Sequence, residues 1–232
     1  MSAADPAAAV PAAEPLPQPA PFLLEALPTE VLLIRHGQSA AYVPGDADSH
    51  DPPLSVLGRR QVAVLAARLA GRRIDAVVAS DLVRAVETAR PLAEDRDLEM
   101  VTRQDLREVD VGDWAGGEFR VRAAARDPEF LAFARAGRWD AIPGAEPDND
   151  LRERVFAAVS GIAAAHPGGS VAVVCHTGVI NAVLARWVDA ERSILAVIEN
   201  TSVTTLRTDG QQWLVVGVND CHHLGDPLLA VP

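Results

Sequence analysis

Residues Val31, Leu32, Leu33 and Ile34 form an unbroken aliphatic run, and the next three are Arg35, His36 and Gly37. A strand with one solvated face alternates apolar and polar side chains. A continuous aliphatic run instead fits a strand covered on both faces, as in the middle of a parallel sheet. Such a strand needs helices above and below it, interleaved with further strands along the chain. Its carboxyl end is also where open α/β sheets place ligands. A cation, an imidazole and a bare backbone therefore stand where binding chemistry is expected.

The rest of the chain supplies that architecture. Strands are expected at 30–35, 75–79, 171–175, 201–207 and 212–218. The last two flank Asp209-Gly210, a pair suited to a tight hairpin turn. Leu54, Leu57, Gln61, Leu65 and Leu69 follow helical spacing, with Ser55 as N-cap and Gly71 as stop. A second helix is expected over 81–94. A third carries Leu151, Val155, Val159 and Ile162, with Asp148 or Asn149 ahead of it and Gly168-Gly169 behind. Residues 178–188 are apolar nearly all round, which predicts a buried helix. The expected fold is α/β: a mostly parallel central sheet flanked by helices on both faces, with an antiparallel edge hairpin.

At 232 residues and 49% hydrophobic, the chain can bury one large core, and no interior linker divides it. One domain is expected over 30–232, behind a disordered or extended tail over 1–29 that holds seven of the 17 prolines. The tail lacks the basic start and continuous apolar stretch of a secretory signal. A net charge of −11 argues against a nucleic-acid partner, and no apolar run approaches the ~18 residues of a membrane span. Cys175 and Cys221 are too few for a disulfide framework; core packing is the expectation for Cys175, and the cytoplasm for the protein.

Three strand-to-helix junctions then line up. The first ends in Arg35-His36-Gly37, the second places Arg84 in the first turn of its helix, and the third ends in His176. Parallel strands bring all three to one sheet edge, where helix N-termini offer unpaired N–H groups and a positive dipole end. Arginines, imidazoles and such a terminus make a dianion site without a metal or cofactor, and a phosphoryl group is its natural occupant. A small phosphorylated substrate is the expected partner; oligomeric state is not legible in the sequence.

These pieces resemble the histidine phosphatase superfamily, with its phosphoglycerate-mutase-like fold. The matching stretches are LIRHGQS (33–39), PLSVLGRRQVAVLAARL (53–69), VVASDLVRAVETARPLA (77–93), LREVDVGDWAG (106–116), PGAE (143–146), VAVVCHTGVINAVLARW (171–187) and VNDCHHL (218–224). The resemblance implies a nucleophile at His36, phosphate ligands at Arg35, Arg84 and His176, and a proton donor at Glu108, ahead of neighbouring carboxylates such as Glu87, Asp110 and Glu118. It also puts Gly37 beside the phosphate and leaves His223 either near the site or in a structural bond.

Neutral imidazole is a nucleophile near pH 7, and the cations offset the charge of the group it attacks. An alkoxide leaves poorly, so an acid must protonate it, and that acid's conjugate base can then activate water. The chain departs from its resemblance at three places. Tyr42 stands where an asparagine commonly touches the phosphate, Gln38 where an acidic residue is common, and Thr177 where the first glycine of His-Gly-Gly is usual. The segment between Glu108 and Pro143 resembles the short cap of the phosphatases, with Arg120, Arg122 and Arg126 available to an acidic substrate. The reading is a phosphomonoester hydrolase working through phosphohistidine. The alternatives are a mutase-type phosphotransferase, a turnover-deficient binding protein and, last, a metal hydrolase, for which ligand spacing is lacking.

Overall fold

Strand β1 (Thr29–Arg35) lies inside the sheet, with β4 (Ser170–Cys175) parallel on one side and β5 (Val203–Thr208) antiparallel on the other. The structure, a computed structural model, describes residues 28–42 and 51–225. Nearly all of the expected tail lies outside those residues, and β1 begins at Thr29, the last residue assigned to the tail. The remaining strands are β2 (Ala76–Ser80), β3 (Met100–Arg103) and β6 (Trp213–Asp220), and the sheet order is β3-β2-β4-β1-β5-β6. β3, β2, β4 and β1 run parallel, and β5 and β6 form the antiparallel edge.

The aliphatic runs do what their composition requires. Val31 and Leu33 point into one buried cluster with Val171, Val173 and Cys175. Leu32 and Ile34 point into another, on the opposite face, with Ala172 and Val174. The first cluster is closed by α5 (Asp148–Ala165) and α6 (Thr177–Trp187), the second by α1 (Val56–Leu69) and α2 (Val83–Glu94). Period-two alternation along each strand thus feeds two cores, one per face. Among the described residues, no helix is long and apolar enough to cross a membrane.

Local signals explain the element ends. Ser55 caps α1, its hydroxyl accepting from Gly58 N at 2.9 Å. Asp148, expected ahead of α5, is instead its first residue. Its buried carboxylate accepts from Asp140 N at 3.3 Å and faces Arg138, so it braces the preceding turn. Between β3 and α5 stand two short helices, α3 (Glu118–Ala125) and α4 (Pro128–Ala136). Asp127 caps α4, with Pro128 at its first position. This insertion is held by aromatic rings: Phe133 lies 5.7 Å from Trp114, 5.6 Å from Phe119 and 5.4 Å from Trp139, centroid to centroid. Trp114 is therefore a core residue of the insertion.

Sequence reasoning missed β3. It has four residues, bonds to β2 alone and is largely exposed, so it carries no alternating or continuous apolar signal.

Candidate active site

The register of β1 against β4 builds the centre of the site. Arg35 pairs with Cys175, and the next step is His36 N donating to Cys175 O at 3.0 Å. Both chains then leave the sheet at the same level. The rings of His36 and His176 face each other, with centroids 5.0 Å apart and planes inclined by 59°. Arg84, from the first turn of α2, reaches both: its Nε donates to His36 Nε2 at 3.2 Å and a terminal nitrogen to His176 Nδ1 at 3.3 Å. The three junctions meet at one edge.

These bonds set the tautomers. His36 Nδ1 lies 2.7 Å from the carbonyl of Gly37, which only accepts, so Nδ1 carries the proton and Nε2 the lone pair. His176 Nδ1 accepts from Arg84, so its proton sits on Nε2. That nitrogen is buried and, like Arg35 Nε, has no hydrogen-bond partner among the described residues. Unpaired buried donors are costly in a protein interior, and donors of this kind suit an anion's oxygens. Arg35 is anchored through a terminal nitrogen to Ile198 O.

Burial, reinforced by Arg84 and Arg35, holds the pKa of His36 well below the ordinary histidine value. Burial also lowers His176 well below its ordinary value, with His36 and Arg84 adding to the effect. Both rings are thus neutral near pH 7. A neutral imidazole can attack an electrophile without a base, and His176 presents a neutral N–H rather than a cation. Desolvation likewise lowers both arginines, with no consequence for their charge at neutral pH.

Glu108 approaches from the segment after β3. Its Oε1 accepts from Gly178 N at 2.9 Å and from Val109 N at 3.1 Å. Burial raises its pKa above the usual carboxylate value, against the opposing pull of Val109 N–H, Arg84 and Arg35. With two donors on Oε1, the proton of the neutral acid resides on Oε2. Glu87 accepts from Leu54 N at 2.7 Å, Glu118 pairs with Arg122, and Asp110 accepts from Gly112 N at 2.9 Å, so each has a local structural task.

Other expected residues fall into place differently. A Cβ on Gly37 would lie 2.9 Å from Gly58 O and 3.1 Å from Val62 Cγ2. The close approach of α1 by itself requires glycine there. Thr177 opens α6 directly beyond His176. Tyr42 packs its ring on Gly117, where a Cβ would overlap it, in the turn that starts α3. Gln38 Oε1 accepts from Ser55 Oγ at 2.7 Å. Arg120 donates to Ser39 Oγ at 2.9 Å and adds positive potential at Arg35, His36 and Arg84. Arg122 is engaged by Glu118, Asp127 and Glu129. His223 bonds Thr201 Oγ1 at 3.1 Å and Arg68 at 3.2 Å. Both cysteines are free thiols, and Cys175 is buried in the core. Among the described residues, no group of three or more His, Cys, Asp or Glu side chains gathers as metal ligands.

Two residues that sequence reasoning passed over also shape the site. Asp51 accepts from Val83 N at 2.9 Å and pairs with Arg84 at 3.2 Å, capping α2 from outside the helix. A loop residue supplying a cap across space leaves no local pattern. Gly178 leaves room for Glu108: a Cβ there would overlap Oε1.

The profile of the histidine phosphatase superfamily (branch 1) matches residues 31–221. The chain is 34% identical over 201 residues to phosphoglycerate mutase-like protein 4 of Arabidopsis thaliana, covering 84% of this chain and 86% of the relative. It is 32% identical over 203 residues to a metal-independent phosphoserine phosphatase of the same plant, covering 84% and 83%. Among solved structures, a mycobacterial glucosyl-3-phosphoglycerate phosphatase superposes with a TM-score of 0.69 at 29% identity, over 82% of this chain and 98% of that one.

Proposed function

The chain belongs to the histidine phosphatase superfamily, branch 1, and on that footing we propose that it hydrolyses phosphomonoesters of small phosphorylated metabolites through a phosphohistidine at His36, without a metal or cofactor. The observation that carries this reading is the tautomer of His36. Its Nδ1–H is spent on Gly37 O, and its Nε2 lone pair faces Arg84 and His176, the groups suited to hold the phosphoryl oxygens.

In the first step the Nε2 lone pair forms the N–P bond while the P–O bond to the alcohol breaks. Glu108 Oε2 gives its proton to the departing oxygen, so the alcohol leaves neutral. Arg35, Arg84 and the Nε2–H of His176 offset the charge on the phosphoryl oxygens, in a site that excludes most water. In the second step Glu108, now a carboxylate, takes a proton from water as the water oxygen attacks phosphorus. The N–P bond breaks, its electrons return to Nε2, and inorganic phosphate is released. The relatives named as phosphatases act on phosphoserine and on glucosyl-3-phosphoglycerate, which supports small phosphorylated substrates here. Two free cysteines suit a reducing compartment, the cytoplasm in this reading.

The test is turnover of a generic aryl phosphate in excess chelator. Chelator-insensitive release of phosphate is expected, with a loss on the order of a thousandfold or more in His36→Ala. Chelator-sensitive turnover, or a His36→Ala enzyme of near-normal rate, contradicts the reading. Transfer of the phosphoryl group to a second phosphorylated metabolite in place of water would identify a mutase.

A further inference from the structure

The peptide group joining His36 to Gly37 is gripped at both of its polar atoms by side chains from elsewhere in the chain. Its carbonyl oxygen accepts from Asn200 Nδ2 at 2.9 Å, and its N–H donates to Thr88 Oγ1 at 3.0 Å. Both side chains are buried. The next carbonyl along, Gly37 O, is the one that receives the His36 Nδ1 proton. The plane carrying that carbonyl is joined to the gripped plane through the two dihedrals of Gly37, and its own N–H, on Gln38, donates to Gln61 Oε1 at 2.9 Å. Glycine imposes little on those dihedrals by itself.

We infer that Thr88 and Asn200 are positioning residues for the nucleophile. They fix the His36–Gly37 peptide plane on one side of Gly37 as Gln61 fixes the plane on the other, which leaves Gly37 O aimed at Nδ1 and keeps the reactive lone pair on Nε2. This rests on the reading of His36 as the nucleophile and adds to it the groups that set its tautomer. Thr88 has a second task. Its hydroxyl donates to the carbonyl of Arg84 at 2.7 Å while accepting from Gly37 N, so a single oxygen joins the nucleophile's loop to the residue that carries the guanidinium. The acceptor and the donor roles use the hydroxyl's two capacities, and valine, of the same shape, offers neither. Asn200 is set in a tight turn: the next residue, Thr201, has φ of +58°, and its N–H donates to Arg35 O at 3.0 Å. The turn thereby presents the amide to His36 O.

The tests are Thr88→Val and Asn200→Ala in the full chain, with Thr88→Ser as the conservative variant. Steady-state kinetics on an aryl phosphate should show kcat lowered about 10- to 100-fold, the usual effect of losing a group that orients a reacting imidazole, with KM changed far less. Nitrogen-15 spectra of labelled protein, with the His36 signals assigned by their loss in His36→Gln, should show Nδ1 protonated in the parent. A second population protonated at Nε2 should appear in both variants, and Thr88→Ser should restore the parent spectrum and most of kcat. Folded variants with parent-like kcat and an unchanged His36 spectrum would overturn the inference. Should Thr88→Val fail to fold, Asn200→Ala decides it by the same spectra and rates. These outcomes are separate from the proposed function, which fails if turnover is chelator-sensitive or survives the loss of His36.

Discussion

Glu108 and Gly178 are mutually dependent: the carboxylate accepts the N–H of the second residue of α6 at 2.9 Å, and it occupies the space that any side chain at 178 would need. The glycine after His176 and Thr177 thus makes room for the Glu108 carboxylate. A helix N-terminus favours the ionised carboxylate, while burial favours the neutral acid. Burial outweighs the opposing pulls, so the Glu108 pKa is raised above the usual carboxylate value, a direction that suits a group proposed both to give and to take a proton within one turnover.

Gly178→Ala is therefore expected to displace Glu108 while leaving the His36–Arg84–His176 cluster in place. A shift of about 1 Å in an acid costs on the order of 100-fold in rate. Steady-state kinetics should show that loss in kcat, with the inhibition constant of inorganic phosphate little altered. A proportionate loss of phosphate affinity would mean that Gly178 serves the anion site instead.

The pH profile of kcat/KM should be bell-shaped once the substrate's own ionisation, near pH 6, is taken into account. In the proposed mechanism the acid limb belongs to His36, which must be neutral to attack. Burial first, then Arg84 and Arg35, set that limb well below the ordinary 6.5. The basic limb belongs to Glu108, raised above 4.5, and it should vanish in Glu108→Gln at a reduced overall rate. A basic limb surviving that substitution would assign the acid to another group.

Much of this was legible in the sequence, and for identifiable reasons. β1 and β4 declare themselves because both of their faces are buried, which forces continuous aliphatic runs. His36, His176 and Arg84 were readable as a cluster because parallel strands share one carboxyl edge. Glu108 lay beyond residue-level reasoning: nothing local distinguishes it from Asp110 or Glu118, and its partner Gly178 comes from a distant helix. Asp51, Thr88 and Asn200 were missed for the same reason, since each acts on a residue far along the chain and is locally an ordinary loop or helix residue. The protonation of His176 was also beyond reach, because it depends on burial first and then on the nearby His36 and arginines.

Stability should fall as the pH drops from 7 toward 5. His36 and His176 are lowered well below 6.5 and His223 to about 4, so in this window the unfolded chain binds protons that the native state refuses. Each such histidine weakens the folding equilibrium by up to about tenfold per pH unit between 6.5 and its native value. Glu108 opposes this with the reverse sign, its raised pKa favouring the native state as pH falls through its native value toward 4.5. Three groups against one leave a net loss. Denaturant melts across this range should show it, with a shallower slope in His176→Gln; a flat profile would mean that the rings titrate as in the unfolded chain.

The insertion between β3 and α5 depends on its aromatic cluster. Phe133→Ala removes a ring packed against Trp114, Phe119, Phe130 and Trp139. A loss of about 3–5 kcal/mol is expected from chemical denaturation, the range for a buried phenylalanine truncated to alanine. A loss under about 1 kcal/mol would show that α3 and α4 are held otherwise.

The most direct test of the account is to trap the phosphoryl group on the protein. An aryl phosphate has a leaving group that needs no acid, so with Glu108→Gln the first step proceeds and the water-dependent second step stalls. Quenching that variant into alkali after rapid mixing, followed by peptide mass mapping, should find one phosphoryl group on His36 and none when His36 is also replaced by Gln. Protein that carries no phosphoryl group under these conditions, or carries it on a residue other than His36, would contradict the account.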